Sequence, residues 1–219
     1  MTNSRGDRGV RYKALVLLSG GPDSTTLLHH VVKNEKLKPL ALHLSTGLVP
    51  NQRELISAKA VAKEINVPLQ VFDVSHFVAA SGGAMITIHS EAHVLRFGTA
   101  VILSMASAFA IQHQIPTIWV ALHKEDADEA VEYSPRFIEF MNSGIQLIGE
   151  DCSIRAPFHD LSKVDVLRQA ASLAVPIGKT WSCVSPIKGV QCGVCGACRA
   201  RREAIEKAKL TDSTKYSFR

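Results

Sequence analysis

Polar residues fill the first dozen positions, and then Ala14-Leu-Val-Leu-Leu18 forms an unbroken apolar run that stops at Ser19-Gly20-Gly21-Pro22. A short run closed by Gly and Pro predicts a strand covered on both faces, as in parallel sheets. After Asp23-Ser24-Thr25 the apolar positions fall at Leu27, Leu28, Val31 and Val32, which is helical spacing. The same order of strand, turn and helix then recurs. Residues 40–44, 69–74 and 117–122 read as strands, and 145–148 as a short one. Residues 53–65, 93–113, 135–141 and 163–174 read as helices, the second rich in small side chains suited to close packing. Strands alternating with helices predict a three-layer α/β sandwich with a mostly parallel sheet. Right-handed crossovers place ligand-binding turns at the carboxyl ends of its strands. From Lys179 onward the chain changes character: it is rich in Cys and Gly, then forms a basic helix over 199–208. The predicted organisation is a flexible lead-in at 1–12, an α/β domain at 13–178 and a small carboxyl-terminal element at 179–219.

Composition narrows the class without choosing a function. The 219 residues are 46% hydrophobic and carry 25 Lys+Arg against 20 Asp+Glu, a net charge of +5. That is ample apolar content to bury, which excludes disorder as the main state. The longest apolar run, 100–111, is broken by Ser104 and Ser107 and is too short to cross hydrocarbon. No apolar signal-peptide core occupies the first ten residues, so a cytoplasmic location is expected. The modest positive excess suits nucleic acid and small anionic ligands equally.

The turn Ser19-Gly20-Gly21-Pro22-Asp23-Ser24 is the first candidate for chemistry. Its glycines permit close backbone approach, and the helix that follows offers unpaired N–H groups and a positive dipole end. Hydroxyls of Ser19, Ser24 and Thr25 add donors, so the turn is equipped to hold a phosphate chain. It is not a Walker A loop, since no Gly-Lys-Ser/Thr follows, nor the Gly-x-Gly-x-x-Gly of dinucleotide folds. The plain alternative is a Gly-Pro turn whose Asp23 or Ser24 caps the helix.

Four of the five cysteines form the second candidate, Cys183-x8-Cys192-x2-Cys195-x2-Cys198. In a reducing compartment such clustering points to a metal, and four thiolates in tetrahedral reach suit a structural Zn²⁺. An iron–sulfur cluster and a redox-active Cys-x-x-Cys pair are the rivals, the former without the Cys-Pro of bacterial ferredoxins. Cys152 stands apart and reads as a small buried hydrophobe.

The complete hexapeptide Ser19-Gly20-Gly21-Pro22-Asp23-Ser24 resembles the loop of the PP-loop ATP pyrophosphatases. Thr180-Trp181-Ser182-Cys183 with Cys192-Gly193-x-Cys195-Gly196-x-Cys198 resembles, within them, the 7-cyano-7-deazaguanine synthase family. Leu161-Ser162-Lys163, His123-Lys124-Glu125-Asp126 and Arg199-x-Arg201-Arg202 are similar to that family as well. The resemblance implies one zinc on Cys183, Cys192, Cys195 and Cys198, ATP with Mg²⁺, and a homodimer. It implies that a deazaguanine-type carboxylate is adenylated and joined to ammonia, giving an amide and then a nitrile. It carries over ATP contacts to Ser19, Gly20, Gly21, Asp23, Ser24 and Thr25, catalytic roles to Asp23, Lys163 and Asp126, and substrate contacts to Arg96, His123 and Glu125.

Three stretches depart from the family. Ser45-Thr46-Gly47 stands for Tyr-Gly-Gln, the entry to the long helix lacks Arg-Asn, and Glu132-Tyr133-Ser134-Pro135 stands for Asp-Cys-Arg-Pro. A diverged member that stops at the amide, or couples the activated carboxylate to another amine such as a protein amino group, is therefore kept open. A PP-loop tRNA-modifying enzyme is a further alternative. The acidic residues that interrupt the basic tail, and the lack of room for an RNA-binding domain, argue against direct nucleic-acid binding. A non-catalytic zinc-bearing module is opposed by the intact glycine turn.

Overall fold

A computed structural model describes residues 12–82 and 97–218. One parallel sheet of five strands runs in the order β3-β2-β1-β4-β5: β1 (Ala14–Leu17), β2 (Pro39–Ser45), β3 (Leu69–Asp73), β4 (Thr117–Trp119) and β5 (Ser153–Arg155). Among the described residues the helices are α1 (Pro22–Lys33), α2 (Val49–Glu64), α3 (Ser75–Ser81), α4 (Gly98–Gln112), α5 (Lys124–Glu129), α6 (Pro135–Leu147), α7 (Lys163–Ser172) and α8 (Gly196–Lys207).

The apolar run at the start of the chain becomes the central strand because both of its faces are covered. Ala14, Val16 and Leu18 join a cluster with Leu27, Leu28 and Val31 of α1, Ala58 and Val61 of α2 and Val166 of α7. Leu15 and Leu17 point the other way, into Leu103, Ala106 and Ala110 of α4 and Ile138 and Ile145 of α6. Each fully buried Leu in these layers contributes about 2 kcal/mol of apolar transfer free energy. The three-layer sandwich read from the alternating pattern is therefore present.

Strand order positions the site. The chain steps outward from β1 to β2 to β3 on one side, then returns to place β4 on the other side of β1. This reversal between β1 and β4 opens a crevice beyond their carboxyl ends. The end of β1 runs into the glycine turn, and the end of β4 into His123 and α5.

Several predicted elements changed. Residues 145–148 are not a strand but the end of α6, closed by Gly149 at φ +78°. In a strand Ile145 and Leu147 would share a face; here Ile145 is buried whereas Leu147 is exposed, as helical geometry requires. The fifth strand is Ser153–Arg155, too short and too polar to announce itself. Residues 123–126 form the start of α5, α3 was not foreseen, and α2 begins earlier than the predicted helix, at Val49. Residues 93–96 of the predicted long helix lie outside the described residues, which carry it from Gly98. No described helix is long and apolar enough to cross a membrane.

The carboxyl-terminal element docks on the domain through α8. Ala204, Ile205 and Ala208 pack on Leu167 of α7, and the last residues return to the cysteines through Ser217 N–H to the Gln191 carbonyl and Phe218 N–H to the Cys192 carbonyl.

Candidate active site

The glycine turn lies on the floor of the crevice. Gly20 has φ +91°, and a Cβ there would stand 2.3 Å from the Glu54 carbonyl oxygen and 2.9 Å from the Ala58 nitrogen. Only glycine lets the turn lie this close to α2. Ser19 Oγ is 2.9 Å from Ser24 Oγ and accepts the Gly21 N–H at 3.2 Å. Thr25 is fully buried, and its hydroxyl donates to the Gly21 carbonyl at 2.7 Å.

Helix ends in this fold are treated unequally. Ser134 Oγ accepts the Phe137 N–H of α6, and Ser162 Oγ accepts the Asp165 N–H of α7. At α1 the N-cap is Gly21, with Pro22 in the first turn, and no side chain caps the end. Pro22 has no N–H to satisfy and is shaped for a first turn. The remaining first-turn N–H groups and the dipole's positive end are thus left to whatever enters the crevice.

Asp23 and Lys163 face each other across this opening, Nζ to Oδ2 at 2.7 Å, joining α1 to the first residue of α7. Burial alone would raise the Asp23 pKa; the Lys163 ammonium outweighs it, helped by His123 and Arg201, and holds the carboxyl below its ordinary value. Asp23 Oδ1 is buried with no partner, an acceptor left open at the site.

The wall opposite is α5. Lys163 Nζ is 3.4 Å from His123 Nε2, and the Lys163 N–H donates to both Glu125 carboxylate oxygens at 3.0 and 3.3 Å. His123 is buried; its Nδ1 lies 3.0 Å from Glu125 Oε2, at ion-pair distance but without hydrogen-bond alignment. Asp126 accepts the His123 N–H at 2.9 Å and is buried rather than displayed on a turn. Burial pushes its carboxyl pKa up, against the pull of His123. The structure thus brings Asp23, Lys163, His123, Glu125 and Asp126 together beside the glycine turn. Arg96 lies outside the described residues.

Two groups near the turn escaped the sequence reading. At the end of β2, buried His43 places Nδ1 2.8 Å from the Leu18 carbonyl and Nε2 3.4 Å from Asn51 Nδ2. Asn51 also donates to Glu54 Oε2 at 3.1 Å and accepts the Thr46 N–H at 2.8 Å. Burial lowers the His43 pKa and raises that of Glu54, so both shifts lean toward the neutral forms. The signal was a His inside the apolar run 40–44. The second is the burial of Arg201, noted in the sequence only within the basic family-like stretch at 199–202: it is 0% exposed, at an inward position of α8 between Cys198 and Ala204–Ile205. A charged residue on an otherwise apolar helical stripe was its signal.

The carboxyl-terminal element touches the turn directly, for the Trp181 N–H donates to the Gly20 carbonyl at 2.9 Å. Behind Trp181 the Sγ atoms of Cys183, Cys192, Cys195 and Cys198 all lie within 4.8 Å of one another. Backbone N–H groups of Val194 and Cys195 point at Cys192 Sγ, at 3.4 and 3.2 Å, and that of Cys192 at Cys183 Sγ, at 3.2 Å. Burial raises the Cys183 thiol to about 11, whereas at Cys192 these N–H groups overcome burial and bring it to about 7. Four sulfurs this close form a donor set that fits a metal ion. Cys152 is apart from them, buried, with Sγ 3.5 Å from the Ile115 carbonyl.

Comparison with known proteins agrees with this arrangement. A family model described as queuosine biosynthesis protein QueC matches residues 13–209. A 7-cyano-7-deazaguanine synthase from a Nitratiruptor species is 29% identical over 218 residues, covering 93% of this chain and 98% of its own. Another, from Methanosphaerula palustris, is 31% identical over 223 residues, covering 93% of this chain and 99% of its own. Among solved structures, the U34-tRNA thiolase NcsA from Methanococcus maripaludis with its 4Fe-4S cluster aligns with a TM-score of 0.56. Its 15% identity, over 84% of this chain and 64% of the thiolase, makes that a likeness of fold.

Proposed function

This chain belongs to the QueC family of queuosine biosynthesis proteins, and we propose that it is an ATP-dependent ligase acting on 7-carboxy-7-deazaguanine or a close analogue. The substrate carboxylate attacks the α-phosphorus of ATP, releasing pyrophosphate and leaving an acyl adenylate. Ammonia displaces AMP to give the amide. A second ATP adenylates the amide oxygen, again releasing pyrophosphate and a proton, and loss of AMP and a second proton leaves the nitrile. No covalent enzyme nucleophile is needed; positioning and charge stabilisation carry the reaction.

The observation that carries this reading is the Lys163–Asp23 pair set against an uncapped helix end at the glycine turn. Ser19, Gly20, Gly21 and Ser24 would cradle the pyrophosphate portion of ATP, and Lys163 would offset charge developing on it. Asp23 and Asp126 would supply carboxylates for the Mg²⁺ that accompanies ATP. His123 and Glu125, beside Lys163, would meet the substrate. We assign the cysteine site to structural zinc. A Zn–S bond of about 2.3 Å puts tetrahedral sulfurs about 3.8 Å apart, and Cys192–Cys198 and Cys195–Cys183 stand at 3.9 and 4.0 Å. On a four-iron cluster each sulfur binds a different iron, which spreads the sulfurs further. A homodimer is the assembly expected, and sedimentation velocity checks it.

A shorter reaction is the second reading. Glu132, which stands where family members have Asp, is occupied in accepting the Thr99 N–H at the start of α4 at 2.9 Å. A member altered there would stop at the amide or pass the acyl group to another amine, such as a protein amino group. Incubating the protein with 7-carboxy-7-deazaguanine, ATP-Mg and ammonium, with products read by mass spectrometry, separates the readings. A nitrile supports the full sequence; an amide, or a mass increase on protein, supports the shorter one. Failure to release AMP sinks both.

A further inference from the structure

Arg201 is fully buried, yet all five of its hydrogen bonds go to neutral oxygens. Nη1 reaches the Thr180 carbonyl and hydroxyl at 3.4 and 2.8 Å and Ser182 Oγ at 3.2 Å; Nη2 reaches the Ile177 carbonyl at 2.6 Å and Thr214 Oγ1 at 2.8 Å. Burying a guanidinium among neutral acceptors is costly. A hydrophobic residue would satisfy packing alone, so what the charge achieves here is the gathering of residues 177–182 around one centre.

That segment has two other attachments. At one end it becomes Cys183, whose carbonyl accepts the Trp181 indole N–H at 2.8 Å. In its middle, the Trp181 backbone N–H holds the Gly20 carbonyl. Gln191, beside Cys192, tightens the same stretch by donating to the Thr180 carbonyl at 3.2 Å and accepting the Ser182 N–H at 3.1 Å. On α8, Arg201 follows Cys198 at i+3 and so shares its face. The sulfurs, the guanidinium and the glycine turn are thus successive links of one hydrogen-bonded chain.

We propose that Arg201 is a positioning residue that makes metal binding at the four cysteines and nucleotide binding at the glycine turn energetically coupled. The proposal rests on the reading that ATP binds at that turn. Coupling is reciprocal by thermodynamic necessity, so nucleotide must tighten the metal. The test uses zinc-loaded protein and the Mg²⁺ complex of an α,β-methylene analogue of ATP, which resists cleavage. Nucleotide affinity is measured first by calorimetry; zinc affinity is then measured by competition with a chromophoric chelator, with and without saturating analogue.

Wild type is expected to hold zinc at least about fivefold tighter with the analogue present. Thr180→Val, a mild change that removes one Arg201 contact, is expected to keep one zinc per chain and its fold while losing most of that tightening. Arg201→Lys is expected to retain more of it than Arg201→Met. If wild type binds the analogue but its zinc affinity does not change, or Thr180→Val keeps the full effect, the coupling is refuted. If wild type binds no analogue, the ATP reading falls, and the coupling with it.

Discussion

The glycine turn and the cysteine knot are both glycine-bearing loops that run into a helix, at Gly21–Pro22 and at Cys195–Gly196, but they spend their backbone donors in opposite ways. In the knot, N–H groups of Cys192, Val194 and Cys195 are aimed inward at sulfur. At the turn, α1 starts without a side-chain cap, unlike the serine-capped α6 and α7, and its first-turn donors face the Asp23–Lys163 pair rather than a sulfur. The lesson is one of direction. A loop that closes on its own donors builds a fixed support, and one that leaves them outward keeps them for a ligand. Trp181 lets the first kind of loop brace the second.

Substitutions break this contrast in order of severity. Gly20→Ala is the largest, because its Cβ would overlap the Glu54 carbonyl in a backbone conformation that alanine rarely adopts. Displacing the turn by about 1 Å is expected to lower substrate-dependent pyrophosphate release about 100-fold or more, with the metal content measured by atomic absorption unchanged. Cys198→Ser acts on the other loop. Losing a ligand there is expected to cost about 3 kcal/mol or more and to lower the thermal midpoint by about 6–12 °C, seen by scanning calorimetry.

Lys163→Met comes next, with a loss of about 100-fold in kcat/KM for ATP and a lowered thermal midpoint, because Asp23 loses the cation that offsets its burial. It also carries a pH signature. With the ammonium gone, burial raises the Asp23 pKa, so the acid limb of the rate profile moves to higher pH. In wild type the depressed Asp23 pKa gives stability that is present above its ordinary value near 3.8 and is lost as pH falls through the lower, folded value.

Asp126 has the opposite sign. Its folded pKa is raised from 3.8, so its contribution is present below that value and is lost as pH rises through the folded pKa. Asp126→Asn keeps an oxygen for the His123 N–H and is expected to unfold in urea with stability at pH 7 equal to or above wild type, and with a flatter pH dependence. Activity should still fall. Cys152→Ala is the smallest, expected to cost about 1 kcal/mol through lost packing and to leave turnover unchanged.

The sequence made legible whatever repeats locally. The β1 run, the helical spacing of α1 and the serine-led start of α7 all follow from neighbours within one or two turns. It missed β5 because three residues, Ser153-Ile-Arg155, are too few to show alternation; their place comes from pairing with β4. It misread 145–148 because a run of apolar residues has no period of its own, and only the exposure of Leu147 separates helix from strand. At the site, the glycine turn and the four sulfurs were visible as motifs. The partners were not: Lys163 on Asp23, Asn51 on His43 and Arg201 on Thr180 are decided by how helices dock. Arg201 and His43 left a trace as polar residues in apolar patterns, and Asp23 and Lys163 through the stretches that resemble the family, but none of the pairings did.

The Lys163–Asp23 contact joins residues 140 positions apart in the chain, and the Trp181–Gly20 contact reaches further still. During synthesis the amino-terminal turn therefore leaves the ribosome long before the groups that complete it. Sheet and early helices can form from what has emerged, but the turn gains its lysine only when α7 appears, and its backbone brace only when Trp181 follows. A nascent chain halted before those residues should carry a recognisable α/β core whose glycine turn still lacks its lysine and its brace, so the site proposed for ATP is completed last.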